Sequence, residues 1–288
     1  MLDITNLSYD FNVLEEKAYL QNGTELPNTK VLVHPNTGEI LGQHSDNYTP
    51  INYPQVVDNL LTGIKEANLT SDYTEPKISV YDGGRKLKAE IRFPDLTINP
   101  NPELRDLTEF RISMFTSHDG TWKYQVSADG LRLTCLNGQT FADALSRISL
   151  KHTKFVDVDP TAGHVINQYE TFKDKESLWH DYSRNTLSDQ IVEDFFKSTI
   201  VKKKTYSSVV KNNEVQLENL FSLYVTQTHD LGNTQWALYN CLTNWATHTD
   251  YTDNTGRRLS KSPHNSTYDR TKQIETAMKS KAWENLCL

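Results

Sequence analysis

The sequence predicts an α+β protein: an antiparallel sheet backed by helices, followed by a mainly helical C-terminal part. Two observations carry this. Between Tyr81 and Cys135 four short runs alternate apolar and polar residues between turn signals, and from Ser177 onward apolar residues recur at helical spacing. The expected division is a sheet domain over 1–155 and a helical region over 156–288 that packs on it.

Residues 1–50 are rich in turn dipeptides, among them Asn22-Gly23 and Thr37-Gly38, with the apolar pieces Val31 to Val33 and Ile40-Leu41 between them. They read as an irregular hairpin lead-in. Pro54 then stands where the first turn of a helix tolerates it, and Val56, Val57, Leu60, Leu61 and Ile64 repeat at helical spacing. This helix is expected on the apolar face of the sheet.

The strands follow. Leu87, Ala89, Ile91 and Phe93 take one parity while Lys86, Lys88, Glu90 and Arg92 take the other, so one face is apolar and one charged. Phe110, Ile112 and Met114 continue the inner face; Arg111, Ser113 and Phe115 point the other way. Asp119-Gly120 suits a tight hairpin. Beyond it Trp122, Tyr124 and Val126 alternate with Lys123, Gln125 and Ser127, and Asp129-Gly130 reads as another turn. A fourth run sets Leu131, Leu133 and Cys135 against Arg132 and Thr134. Asn137-Gly138 reads as the end of the sheet, and Phe141, Ala144, Leu145 and Ile148 as a second amphipathic helix. Residues 153–176 are weakly patterned, with a loop from Pro160 to Gly163.

In the C-terminal part, Ile191, Val192, Phe195, Phe196 and Ile200 line one helix that runs into Lys202, Lys203 and Lys204. Leu217, Leu220, Phe221, Tyr224 and Val225 line the next. Asn233-Thr234 is a good cap for a third, which carries Trp236, Tyr239 and Leu242; Tyr268, Ile274, Met278 and Ala282 mark the last.

On this register the polar sheet face carries Lys86, Lys88, Arg92, Arg111, Lys123 and Arg132 against one acid, Glu90. Cations on such a face also blunt edge pairing. The whole chain has a net charge of -7, which argues against nucleic-acid binding through the entire surface. The charge is unevenly spread: -8 over 1–76, +1 over 77–132, -4 over 133–196 and +4 over 197–288.

No run approaches the ~20 apolar residues that cross a bilayer, and the first residues lack the regions of a signal peptide, so no membrane contact and cytoplasmic residence are expected. The three cysteines, Cys135, Cys241 and Cys287, have no metal-binding or disulfide spacing. Phosphate-loop and nucleophile-elbow motifs are missing, and the nine histidines nowhere show the spacing that a helix or finger uses for a metal. No catalytic residue, cofactor or metal is therefore expected. An acid-base site at His118 and Asp119 is disfavoured, because neighbours in a strand face opposite ways.

Single strands are held by a positive groove with aromatic rings beneath the bases. The basic face, Phe115 as a stacking ring, Lys202 to Lys204, and Arg257, Arg258, Lys261, Arg270 and Lys272 fit that description.

Several stretches resemble one family. These are Tyr48-Thr-Pro-Ile-Asn52, Gly83-Gly-Arg85, Thr116-Ser-His-Asp-Gly120, Leu131-Arg-Leu-Thr-Cys-Leu-Asn137 and Gly232-Asn-Thr-Gln-Trp236, with Trp245 and His248. Together they are similar to the phage- and plasmid-borne domain of unknown function 932 over roughly 44–270. The sequence departs at Leu136-Asn137-Gly138, where Asn-Asn-Thr is expected. The resemblance implies a mobile-element origin and supplies no catalytic residues. A looser likeness in outline is to phage single-strand annealing proteins, which implies a homo-oligomer. The expected function is non-specific binding of single-stranded DNA in recombination or strand annealing. The alternative is a non-enzymatic structural or interaction protein that binds a host or phage protein.

Overall fold

The structure, a computed structural model, describes residues 8–104, 106–133, 137–140, 147–150, 162–201, 207–248 and 263–287. Two antiparallel sheets are followed by helices, an α+β fold.

The lead-in is more regular than its turn-rich sequence suggests. Strands β1 (Leu14–Tyr19), β2 (Glu25–Val33) and β3 (Ile40–Ser45) form a three-stranded antiparallel meander. Gly23 and Gly38 supply the left-handed dihedrals at the two turns, with φ of 82° and 70°. Ion pairs of Lys17 with Glu25 and Lys30 with Glu15 brace β1 against β2. Leu14, Tyr19, Leu20 and Ile40 remain exposed.

Helix α1 (Tyr53–Ala67) starts with Pro54 in its first turn and ends on Asn68 in the left-handed conformation. It buries Val56, Val57, Leu60 and Ile64, the stripe its sequence period marks.

The second sheet has the order β4-β5-β6-β7-β8, from β4 (Lys77–Tyr81), β5 (Lys86–Ile98), β6 (Thr108–Ser117), β7 (Tyr124–Arg132) and β8 (Asn137–Thr140); β9 (Arg147–Leu150) also pairs with β7. Strands β5 and β6 keep the expected parity: Leu87, Ala89, Ile91, Phe93, Phe110, Ile112 and Met114 are all buried.

Strand β7 departs from expectation. Asp129 and Gly130 lie inside it, paired with Thr140 and Gln139, so this dipeptide makes no turn. Asn137-Gly138 likewise opens β8 instead of closing the sheet. The end of the second expected helix is also extended, because Ile148 pairs with Val126 and Arg147 with Ser127; residues 141–146 lie outside the described set. Long-range ladder bonds along one edge of β7 override the local helical period there.

Of the helices, α2 (Ala162–Arg184) begins within the stretch read as a loop and takes in Gly163. Then come α3 (Asp189–Thr199), α4 (Ser207–Leu231), α5 (Gln235–Thr247), α6 (Pro263–Met278) and α7 (Lys281–Glu284). Thr234 caps α5, its hydroxyl accepting from the Ala237 N–H at 3.1 Å. Ser188 caps α3 in the same way.

The chain forms two compact units, neither of them one continuous run. The first comprises 1–96, 110–128 and 143–171; the second comprises 97–109, 129–142 and 172–288. The boundary expected near residue 155 lies outside the described residues.

The second unit is built on an aromatic core of Trp179, Tyr182, Phe195, Trp236, Tyr239 and Trp283, with ring centroids from 5.3 to 6.5 Å apart. Asp106 is tied to this core. One of its carboxylate oxygens accepts from the Trp236 indole at 2.7 Å and the other from Arg132 Nε at 2.6 Å.

Candidate functional site

The six cations read as one basic face do not stay together in the structure. Arg132 belongs to the second unit and is 2% exposed, paired with Asp106. It serves that unit's core rather than a ligand. Strand parity could not show this, because Asp106 comes from the segment before β6, outside any alternating run.

Lys86 is 4% exposed. Its ammonium lies 2.6 Å from Asp82 and 2.7 Å from Asp119, the acids of the two turns that flank its end of the sheet. Burial works against this ammonium, but the two carboxylates outweigh it and raise its pKa. Asp119 is held below the usual carboxylate range: burial opposes ionisation, and Lys86 and two hydrogen bonds from Thr121 overcome it. Lys86 is thus a bridge between turns, a correction to its expected place on an open face.

Around that bridge the elements lock together. His44 on β3 donates through Nε2 to the His118 carbonyl at 2.6 Å; a carbonyl only accepts, so the ring proton is on Nε2. Tyr48 stacks on His44 with centroids 3.7 Å apart and donates to the Ser117 carbonyl. Tyr53, at the start of α1, stacks on His118 at 4.0 Å. The approach is so close that a Cβ on Gly42 would stand 2.4 Å from the His118 carbonyl oxygen. Three of the stretches that carry the family resemblance, at 48–52, 83–85 and 116–120, therefore meet at this end of the sheet. They do so as packing and main-chain bonds. Among the described residues no group of three or more His, Cys, Asp or Glu side chains could hold a metal ion.

The remaining group forms the candidate site. Cross-strand pairing sets Lys77 opposite Glu90, Ser79 opposite Lys88 and Tyr81 opposite Lys86, which puts each pair on one face. From β6, Arg111 donates to Glu90 Oε1 at 2.9 Å, and Lys88 meets the same oxygen at 2.9 Å. Lys88 also lies 5.6 Å over the Phe115 ring. Lys77, Lys88 and Arg111 thus surround one carboxylate on the polar face of β4, β5 and β6, and Arg92 comes next along β5 on the same parity. Lys77 is exposed, while the side chains of Lys88 and Arg111 are 22% and 13% exposed.

This strip is half covered where an open face was expected. Ser113, Ser117 and Gln125 on the polar parity are buried. Phe115 is half-buried, packed edge-on against Trp122 at 5.7 Å, and Tyr81 meets Trp122 edge-on as well, at 6.2 Å. Trp122 lies in the turn before β7, off the strand alternation, and so joins the polar face it was expected to oppose. Sequence reasoning missed Tyr81 and Lys77; the apolar and polar alternation of Ile78, Ser79 and Val80 was the signal that places both on this face. Lys123 is exposed in the same turn. Lys202, Lys203 and Lys204 lie outside the described residues, as do Arg257, Arg258 and Lys261. Arg270 and Lys272 lie over the aromatic rings of Trp245 and Tyr268.

Glu90 records the charge around it. Burial opposes its ionisation, yet Lys88, Arg111 and Lys77 outweigh that and hold its carboxyl at about 2. A carboxyl depressed on folding stabilises the protein above its unfolded value of roughly 4.3 and loses that contribution as pH falls toward 2. Denaturation midpoints between pH 6 and pH 2 are expected to show a loss of about 3 kcal/mol that Glu90→Gln lacks. Parallel pH profiles for the two proteins would refute the assignment.

No helix among the described residues is long and apolar enough to cross a membrane. Among known proteins, a family model described as Domain of unknown function (DUF932) matches residues 40–281. No curated protein and no solved structure matches the chain.

Proposed function

Since this chain belongs to the DUF932 family, whose description carries no activity, we propose its function from its own residues: it binds single-stranded DNA without sequence preference. The observation that carries the reading is the gathering of Lys77, Lys88 and Arg111 around one carboxylate, with Arg92 next in line and the half-exposed Phe115 and Tyr81 rings at the same end of β5 as Lys88. Cations spaced along a strip neutralise a phosphate backbone, and ring faces take bases of any identity at ~1–3 kcal/mol each. In this reading it acts in recombination or strand annealing in the cytoplasm of a bacterial host, as a phage- or plasmid-borne protein and as an oligomer.

The test is fluorescence anisotropy of a labelled oligothymidine of ~30 nucleotides at two salt concentrations, for wild type and for Lys77→Ala with Lys88→Ala. Binding is expected to weaken with salt, and the double variant to lose slope by about 0.7 for each phosphate contact removed. Wild type that does not bind at low salt ends the reading; a double variant that binds as wild type does moves the site elsewhere.

The exposed Leu14, Tyr19 and Ile40 of the three-stranded sheet, with Leu20 in the turn beside them, favour a second reading, a non-enzymatic interaction protein. That reading expects no salt-dependent affinity for DNA.

A further inference from the structure

We infer that Glu90 is a built-in competitor for phosphate, an acid that occupies the place a strand's backbone must take and so keeps binding weak and easily reversed. The inference rests on the single-strand reading and adds to it a residue that acts against affinity.

Geometry singles Glu90 out. Its Oε1 is shared by Lys88 and Arg111, each at 2.9 Å, from two adjacent strands. Lys77 stands directly opposite it on a third. A phosphate oxygen bridging the same cations would make the same charge-assisted bonds. The carboxylate is covalently attached to β5, so its effective concentration at these cations is high, and any phosphate must displace it. Asp82 and Asp119 act differently: they hold Lys86 at the turn end, and Lys86 stays enclosed whether or not Glu90 is present.

A displaceable acid also sorts ligands. An isolated phosphate offers one or two contacts and cannot outcompete a tethered carboxylate. A strand delivers several phosphates along one backbone, and its contact with the exposed Lys77 holds it while the exchange at Lys88 and Arg111 takes place.

Glu90→Gln removes the negative charge and keeps the shape. Anisotropy with labelled oligothymidine of ~30 nucleotides is expected to show binding about threefold to tenfold tighter than wild type, with a salt slope steeper by about 0.7 per phosphate newly contacted. Inorganic phosphate is expected to raise the melting temperature of the variant and leave wild type unchanged. Should Glu90→Gln fail to fold, Ser79→Glu carries the test from the opposite side. Ser79 pairs with Lys88 on the edge strand, so a second acid there is expected to weaken binding and flatten the slope.

Equal affinities and slopes for wild type and Glu90→Gln would overturn the role of Glu90 and leave the single-strand reading standing. So would Ser79→Glu binding as wild type does. Wild type and variant that both fail to bind at low salt would overturn the reading itself.

Discussion

Asp106→Ala is expected to lower stability by about 3–5 kcal/mol. Asp106 is 1% exposed, and its two oxygens are both used, one by Arg132 and one by the Trp236 indole. Alanine takes the carboxylate at 2.6 Å away from a buried guanidinium and the acceptor at 2.7 Å away from a buried indole N–H. Either alone costs kilocalories, because neither group regains water in the folded state. Urea denaturation gives the value. Two controls sharpen it: Asp106→Asn, which keeps an acceptor and loses the charge, is expected to fall between alanine and wild type. Asp106→Leu with Arg132→Met is expected to recover much of the loss, since a buried pair can be replaced by apolar groups at little cost. A stability for Asp106→Ala within about 1 kcal/mol of wild type, far short of the loss on breaking a buried pair, would show that the pair contributes nothing net.

Lys86→Ala is expected to cost about 2–4 kcal/mol, because it leaves the Asp82 and Asp119 carboxylates facing one vacated position. The effect has a pH signature. The raised pKa of Lys86 means that its contribution is whole below about 10.4 and fades as pH rises through the folded value. The depressed pKa of Asp119 means that its share is present above about 3.9 and fades as pH falls. The gap between Lys86→Ala and wild type is therefore expected to be widest near neutrality and to close toward both extremes. Because Lys86 is enclosed by its acids, the folded variant is expected to bind oligothymidine with the wild-type salt slope. A constant gap across pH would assign the loss to the lysine's alkyl packing instead of its charge, and a flattened slope would return Lys86 to the binding strip.

The difference between these lysines and arginines is what the sequence could not display. Alternation along β5 and β6 correctly separated Leu87, Ala89, Ile91 and Phe93 from Lys86, Lys88, Glu90 and Arg92, because a strand's period depends on nothing beyond the strand. Pro54 and Thr234 were legible for the same reason, as chemistry local to a helix start. The neutralising acids were not. Asp82, Asp119 and Asp106 come from two turns and a connecting segment, and only the folded chain brings them to Lys86 and Arg132. Asp129-Gly130 misled because the dipeptide permits a turn without requiring one, and pairing with β8 keeps it extended. The arrangement at Glu90 was half visible: its strand parity with Lys88 could be read, but its sharing with Arg111 depends on the β5 and β6 register.

The tie between Asp106 and Trp236 also bears on how the protein is made. The two residues are separated by 130 positions, and at synthesis rates of about 5–20 residues per second the ribosome needs roughly 7–26 s to travel from one to the other. During that interval the nascent chain carries an aspartate and an arginine that belong to an interior still unsynthesised. The second unit takes residues from both sides of that gap. Its folding therefore cannot be completed until the residues beyond the gap have been made, however early its first segments leave the ribosome.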